Sequence, residues 1–190
     1  MAFSALLDAC VLYPVGVRDM LLSVADHQVY QPRWSSQILD EMERNVLESG
    51  RSTPERLGRM RQAMNMAFPA ACVEGYESLI PTMTNHPDDR HVLAAAVRGD
   101  VGVIVTENLR HFPASACAPF DIDVQSADEF LSYALDQDPA AVVEAVRSMA
   151  AKRTKPPHTV AEILEQLGRA TLPTFAQEAL VVLRTSGRTG

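Results

Sequence analysis

Three stretches of this chain carry carboxylates that could hold a cation together. The richest is His86-Pro87-Asp88-Asp89-Arg90-His91, where two adjacent acids open an alanine-rich run over residues 92–96. Asp8 directly follows the apolar run Ala5-Leu6-Leu7, and Glu41 ends Ser36-Gln37-Ile38-Leu39-Asp40-Glu41. A further apolar run over residues 101–105 ends in the polar Thr106-Glu107-Asn108. Acids at a helix start and at strand ends suit a divalent-metal site, because hard divalent cations take oxygen ligands. That chemistry requires Asp8 and Glu41 to be carried to the helix start from far upstream.

The elements that must do this are legible as alternating strands and helices. Residues 3–7 form an apolar strand that stops at Asp8, and Pro14 closes it or starts a helix. Val17, Met20, Leu21 and Val24 have helical spacing. Residues 29–34 predict a second strand, and Ser35 or Ser36 an N-cap for a helix that is apolar at Ile38, Leu39, Met42 and Val46. Thr53-Pro54-Glu55 starts another helix, with Leu57, Met60, Met64 and Met66 on its apolar side. Residues 71–73 are a brief strand, and residues 80–85 a loop. Asp88 or Asp89 caps a helix that ends at Gly99-Asp100. Residues 101–105 are a buried strand and residues 122–124 a last one. This alternation predicts an α/β sandwich around a parallel sheet, whose sites lie beyond the carboxyl ends of the strands. Asp8 and Thr106-Glu107-Asn108 both fall at such ends.

From Ser126 the pattern changes to helices alone. Ser126-Ala127-Asp128-Glu129 and Thr159-Val160-Ala161-Glu162 read as capping starts, and Asp138-Pro139 and Leu172-Pro173 open two further helices. Lys152-Arg153-Thr154-Lys155-Pro156-Pro157 is a basic linker, and residues 184–190 a frayed tail. The expected division is therefore an α/β domain over residues 1–125 and an all-helical extension over residues 126–190.

Composition narrows the function. With 190 residues and 47% hydrophobic residues, the chain can bury a core. No apolar run is long enough for a membrane span, and the first residues lack a secretory signal, so a cytoplasmic protein is expected. The net charge of −7 argues against a broad nucleic-acid-coating surface. The first 125 residues hold 16 acids against 10 basic residues, as a carboxylate cluster that awaits a cation would. Cys10, Cys72 and Cys117 form no disulfide or zinc pattern and read as small apolar filler. The five histidines show no metal-ligand spacing, and His91 reads as a helix-face or packing residue.

Taken in order, Leu6-Leu7-Asp8-Ala9-Cys10-Val11-Leu12, Ser36 to Glu41, Asp88 to Ala96, and Val103-Ile104-Val105-Thr106-Glu107-Asn108-Leu109-Arg110-His111-Phe112-Pro113 resemble the PIN-domain family of metal-dependent ribonucleases. The nearest likeness is to the VapC-type toxins of bacterial toxin–antitoxin pairs. The resemblance covers residues 3–125, and the helical extension is similar to tails on some members. It implies a PIN-like α/β/α sandwich that cleaves RNA with Mg2+ or Mn2+. It also implies a homodimer and neutralisation by a cognate antitoxin. Asp8, Glu41 and Asp89 would be the metal ligands and, with Asn108, the catalytic set. Thr106 and Asp88 would support them. Two positions depart from the family: Cys10 stands where Asn or Ser is common, and Asn108 where many members carry a fourth acid.

Each residue also has a plainer reading. Asp89 or Asp88 fits a helix N-cap, Asp8 a strand-end turn, and Glu41 a solvated helix face. Glu41 lies three residues after Ile38, near the apolar face, whereas Asp40 is turned about 100° away. Glu107 is expected to face solvent. Arg56, Arg59 and Arg61 fit a solvated face or contact with RNA or a partner, and Lys152, Arg153 and Lys155 are a second candidate for phosphate. The methionines suit core packing or a protein-binding groove. Two other functions remain open at this point: a non-catalytic PIN-like module that binds RNA or protein, and a structure-specific DNA nuclease.

Overall fold

The computed structural model describes residues 3–153 and 157–186. In chain order the elements are β1 (Ser4–Leu7), α1 (Ala9–Leu12), α2 (Val15–Asp26), β2 (Gln31–Ser35), α3 (Ser36–Glu48), α4 (Pro54–Ala67), β3 (Cys72–Val73), α5 (Arg90–Arg98), β4 (Val103–Val105), α6 (Ala114–Cys117) and β5 (Asp123–Gln125). Four more helices follow: α7 (Ala127–Gln137), α8 (Pro139–Lys152), α9 (Val160–Ala170) and α10 (Pro173–Ser186). The chain divides into two compact units, one of residues 1–14 and 31–125, the other of residues 15–30 and 126–190.

The first unit is built on a five-stranded sheet of order β3-β2-β1-β4-β5, parallel throughout. Its central strands β1 and β4 are apolar and buried, as strands covered on both faces must be: Ala5, Leu6, Leu7, Ile104 and Val105 are all inaccessible to solvent. Pro32 is tolerated in β2 for a specific reason. The Gln31 N–H points to the Phe3 carbonyl on the β1 side, so the missing N–H of Pro32 faces the β3 side. There β3 reaches only Trp34 and Ser35, and no ladder bond is lost.

Strand order determines where a site can form. The chain steps outward from β1 to β2 to β3, then crosses through α5 to β4 on the other side of β1. Right-handed crossovers place α3 and α4 on one face and α5 on the other, giving three layers. The direction of winding reverses between β1 and β4, and the crevice outside their carboxyl ends is the usual binding position of such sheets. Ala94, Ala95 and Ala96 are fully buried in α5, and their small side chains let the helix lie close on the sheet.

Local chemistry sets the ends of these helices. Ser35 Oγ accepts from the Ile38 N–H at 3.2 Å and starts α3, which buries the predicted Ile38, Leu39, Met42 and Val46. Thr53 starts α4 by accepting from the Arg56 N–H. That helix departs from expectation: it buries only Leu57 and Met64, and Met66 is 74% exposed. Two residues after Met64, Met66 is turned about 200° to the opposite face. A 3-10 turn over Glu77–Thr82 runs into the expected loop over residues 80–85, and Ala9–Leu12 forms the single helical turn α1 directly after Asp8.

The second unit packs α2 with α7, α8, α9 and α10. Phe130 and Phe175 are fully buried, and the Tyr30 ring meets Phe130 edge-on with centroids 4.8 Å apart. The Tyr30 hydroxyl donates to the Leu21 carbonyl at 2.9 Å, which satisfies its polar end. Both expected capping boxes form, Ser126 with Glu129 and Thr159 with Glu162. The Asp128 carboxylate accepts from the N–H groups of Thr174 and Phe175, so α7 caps α10. Helix α10 continues through Ser186, past the point where a frayed tail was expected; residues 187–190 and the linker residues 154–156, Lys155 among them, lie outside the described residues.

Candidate active site

Asp8 and Thr106 meet at the reversal point of the sheet. The Asp8 N–H donates to the Val105 carbonyl at 3.1 Å, so the end of β1 is tied to the end of β4. Thr106 N–H in turn donates to the Gln125 carbonyl of β5. Both side chains are buried, Asp8 at 2% exposure and Thr106 at 0%. The Thr106 hydroxyl donates to Asp8 Oδ2 at 2.6 Å and accepts from the Asn108 N–H at 3.0 Å. Asp8 Oδ1 accepts from the Ala9 N–H at 2.6 Å, so the same carboxylate also caps α1.

Cys10 completes this corner. Its thiol donates to Asp8 Oδ2 at 3.2 Å, lies 3.3 Å from Thr106 Oγ1, and accepts from the Glu107 N–H at 3.2 Å. It thus links the loop after β1 to the loop after β4, a larger part than filler. Burial, and then the charge of Asp8, push the Cys10 thiol up to about 12. Burial also holds the Asp8 carboxyl above its ordinary range, and the negative charge of Asp89 adds to this, against hydrogen bonds from Thr106, Cys10 and Ala9. Every hydrogen-bond donor to Asp8 is neutral. Three bonds on two oxygens leave a lone-pair direction for a further ligand. A buried carboxylate facing a second acid and bonded only by neutral donors fits a cation better than it fits a plain turn residue.

Asp89 stands at the N-cap position of α5, but its side chain makes no capping bond. The preceding 3-10 turn, Pro87–Asp89, is capped by His86, whose Nδ1 accepts from the Asp88 N–H at 3.4 Å. The expectation that one of the two aspartates caps this helix through its carboxylate is corrected here. Asp88 is 88% exposed in its side chain and lies 3.8 Å from His86 Nδ1. Asp89, only 9% exposed, turns its Oδ2 to His111 Nδ1 at 2.5 Å. Glu41 projects from α3 toward His91 of α5, with Oε2 and Nε2 3.5 Å apart. That hydrogen bond, more than the charges around it, holds the Glu41 carboxyl below its ordinary value. His91 Nδ1 is buried without a hydrogen-bond partner among the described residues, which places the ring proton on Nε2, facing Glu41.

The residues brought together by direct contacts are therefore Asp8, Thr106 and the Asn108 backbone, with Asp89 acting on Asp8 through its charge. Glu41 joins through His91, two residues after Asp89 on the same helix. Glu107 is exposed, as expected. Arg61 is occupied elsewhere: its guanidinium donates to Asp40 at 2.6 Å, Glu43 at 3.2 Å and the Ser36 carbonyl at 3.3 Å. Arg56 and Arg59 are exposed. Three histidines were missed. His86 and His111 converge on Asp89 although the histidines are not spaced as metal ligands along the chain, and His91 faces Glu41. The His86-x-x-Asp89 spacing was a usable signal, because residues three apart lie on one side of a helical turn.

Comparison with known proteins bears on the family of the chain. A family model described as the PIN domain matches residues 4–110, and one described as the VapC50 C-terminal domain matches residues 127–180. A protein of Mycobacterium tuberculosis (strain ATCC 25618 / H37Rv), named "Putative ribonuclease VapC50", is 44% identical over 105 residues. The match takes in 55% of this chain and 62% of that relative, so under two thirds of the relative's length is spanned. No solved structure matches the chain. The PIN model covers more than half of the chain, over residues that include four of the five strands and Asp8, Glu41, Asp89 and Thr106: the chain belongs to the PIN-domain family.

Proposed function

We propose that this protein is a divalent-metal-dependent endoribonuclease that acts as a VapC-like toxin and is held inactive by a cognate antitoxin. The observation that carries this reading is the buried Asp8 carboxylate at the reversal point of the sheet, raised in its proton affinity by burial and by Asp89. Asp8, Glu41 and Asp89 would hold Mg2+ or Mn2+, since carboxylate oxygens suit both. Such an ion supplies positive charge against the phosphodiester and acidifies water at neutral pH. The chain's own groups provide the frame. Thr106 and Cys10 fix the rotamer of Asp8 through bonds of 2.6 Å and 3.2 Å. His91 holds Glu41 toward the start of α5. Asn108 stands at the rim, with its N–H tied to Thr106, and would orient a water through its amide; Asp88 would act from outside.

Residues 1–125 would form the nuclease domain and residues 126–190 an extension of it, in a cytoplasmic homodimer. Arg56 and Arg59 are the exposed cations offered to RNA, with Arg61 braced behind them. The relative's printed name supports ribonuclease activity. The test is cleavage of RNA and of DNA by the purified chain with Mg2+ or Mn2+, beside Asp8→Asn and Asp89→Asn. Both variants should lose RNA cleavage and growth arrest while keeping the fold. Cleavage undiminished in both would overturn the assignment. Cleavage of DNA alone would favour a DNA nuclease. No cleavage together with no metal binding by calorimetry would favour a binding module.

A further inference from the structure

We infer that His86, Asp89 and His111 form a second cation site, built for a divalent ion of the manganese-to-zinc series and sharing Asp89 with the acidic corner. The inference rests on this cluster and not on the ribonuclease reading. Each residue offers one ligand atom, and the three atoms lie within 4.8 Å of one another. Both imidazoles present Nδ1 to the same carboxylate oxygen: His111 at 2.5 Å and His86 at 3.9 Å from Asp89 Oδ2. The rings stack with centroids 4.1 Å apart and planes 13° from parallel, so both nitrogen edges face one way.

The backbone holds this triad in place. The His86 N–H donates to the His111 carbonyl at 3.0 Å, which pins the loop before α5 to the loop after β4. The Asp89 N–H donates to the His86 carbonyl at 3.0 Å, and the buried Asn85 amide donates to the Asp89 carbonyl at 3.0 Å. Three ligands from two loops are thus positioned by main-chain bonds, the condition for a preorganised site. Asp89 also forgoes the helix cap that its position offers and turns to the imidazoles instead. The His86 Nδ1 accepts a hydrogen bond from the Asp88 N–H, so it carries a lone pair and no proton, and binding an ion would exchange that 3.4 Å bond for the metal.

The donor set selects the ion. Two imidazole nitrogens and one carboxylate suit manganese, iron, cobalt, nickel or zinc, whereas Mg2+ prefers oxygen and keeps its waters. Ligand atoms bound to one such ion at about 2.0–2.2 Å sit roughly 3–3.5 Å from each other. The observed 2.5 Å and 3.9 Å separations straddle that span. Seating the ion needs the proton between His111 and Asp89 to leave, as metal binding to histidine generally does, and a small rotation of the rings. His86 is 42% exposed in its side chain and has room to turn.

The test is calorimetric titration of the full-length, chelator-stripped chain at pH 7 with Zn2+ and, separately, with Mg2+. The wild type should bind Zn2+ at least about 10-fold more tightly than Mg2+. His86→Asn and His111→Asn should each weaken Zn2+ by about 10- to 100-fold, the range seen even for losing an outer-shell partner. His158→Asn should leave Zn2+ affinity within roughly threefold, since His158 is outside the triad. A readout on the wild type guards against misfolded variants: ring-nitrogen resonances of His86 and His111 should shift on adding Zn2+, and those of His27 and His158 should not. Zn2+ affinity retained in the double histidine variant, lost in His158→Asn, or without any shift at His86 and His111 would overturn the site. A chain that cuts no RNA but gives the Zn2+ result loses the ribonuclease reading and keeps this one.

Discussion

Cys10 should be among the slowest thiols in the folded protein, and the rate can be worked out. Its thiol is pushed up to about 12, first by burial and then by Asp8. At pH 8 that leaves about 1 thiolate in 10,000, against about 1 in 4 for a free cysteine of pKa ~8.5. The reactive population falls by about 2,500-fold. A more basic thiolate is a better nucleophile, with a Brønsted slope of about 0.4–0.5, which returns about 40-fold over 3.5 units. The net slowing is about 60-fold, before any obstruction by the surrounding loops. The assay is disulfide exchange with an aromatic disulfide reagent at pH 8 in chelator, folded and in urea, with labelled cysteines assigned by mass spectrometry. Asp8→Asn removes the second cause and should speed Cys10 in the folded state, with burial still slowing it. A folded Cys10 that reacts within roughly threefold of its unfolded rate would refute the reasoning. It would mean that the thiol does not sit protonated between Asp8 and Thr106.

Three further outcomes follow from the same geometry. Asp8 has a raised folded carboxyl, so ionising it costs stability at every pH above that folded value and the cost is relieved as pH falls; Asp8→Asn should therefore raise the metal-free melting temperature at pH 7 by roughly 2–4 °C, on the order of 1 kcal/mol, and a lower melting temperature would count against it. Glu41 is the opposite case: its lowered carboxyl contributes stability that is present above the ordinary value of about 4.3 and lost as pH falls below it. His91→Phe, which removes the main cause, should flatten the decline of melting temperature between about pH 5 and 3, and an unchanged decline would show that His91 does not hold Glu41. Arg56→Ala and Arg59→Ala should each reduce the salt dependence of single-stranded RNA binding by about 0.7 in log–log slope, whereas Arg61→Ala should leave that slope alone and cost at most about 1 kcal/mol of stability.

How far the sequence could be read depends on the range of the interactions involved. The starts of α3, α7 and α9 were visible because a cap is a bond between residues three apart, as in Ser126 and Glu129. The parallel sheet was visible because β1 and β4 are short apolar runs and helices separate the strands, and Asp8 because the apolar run of β1 stops on it. For Asp89 a cap is the local expectation, and only the fold brings His111, 22 residues later, to its carboxylate. The pairing of His91 with Glu41 spans 50 residues and has no local trace. Met66 was misplaced because residue type outweighed helical phase. The partnership of α2 with α7–α10 could not be read at all, since an amphipathic helix shows that it has an apolar face without showing what covers it.

The departures from an all-acidic site share one physical direction. Asn108 puts a neutral amide where a fourth carboxylate could stand, and Cys10 puts a protonated thiol on Asp8 Oδ2. His86 and His111 bring donor nitrogens to Asp89 without bringing negative charge. Each lowers the charge that would gather where Asp8 and Asp89 face one another, and the raised Asp8 carboxyl shows that this charge is already costly. An all-carboxylate set would attract a hard cation more strongly, but it would repel itself more when metal-free. Replacing acids by neutral donors relieves that repulsion and moves the preference from ions that want only oxygen toward ions that also accept nitrogen. Asp89 is where the two demands meet, since its negative charge acts on Asp8 while its Oδ2 is given to His111. The identity of an ion bound there would therefore be set less by the number of carboxylates than by which neighbours Asp89 serves.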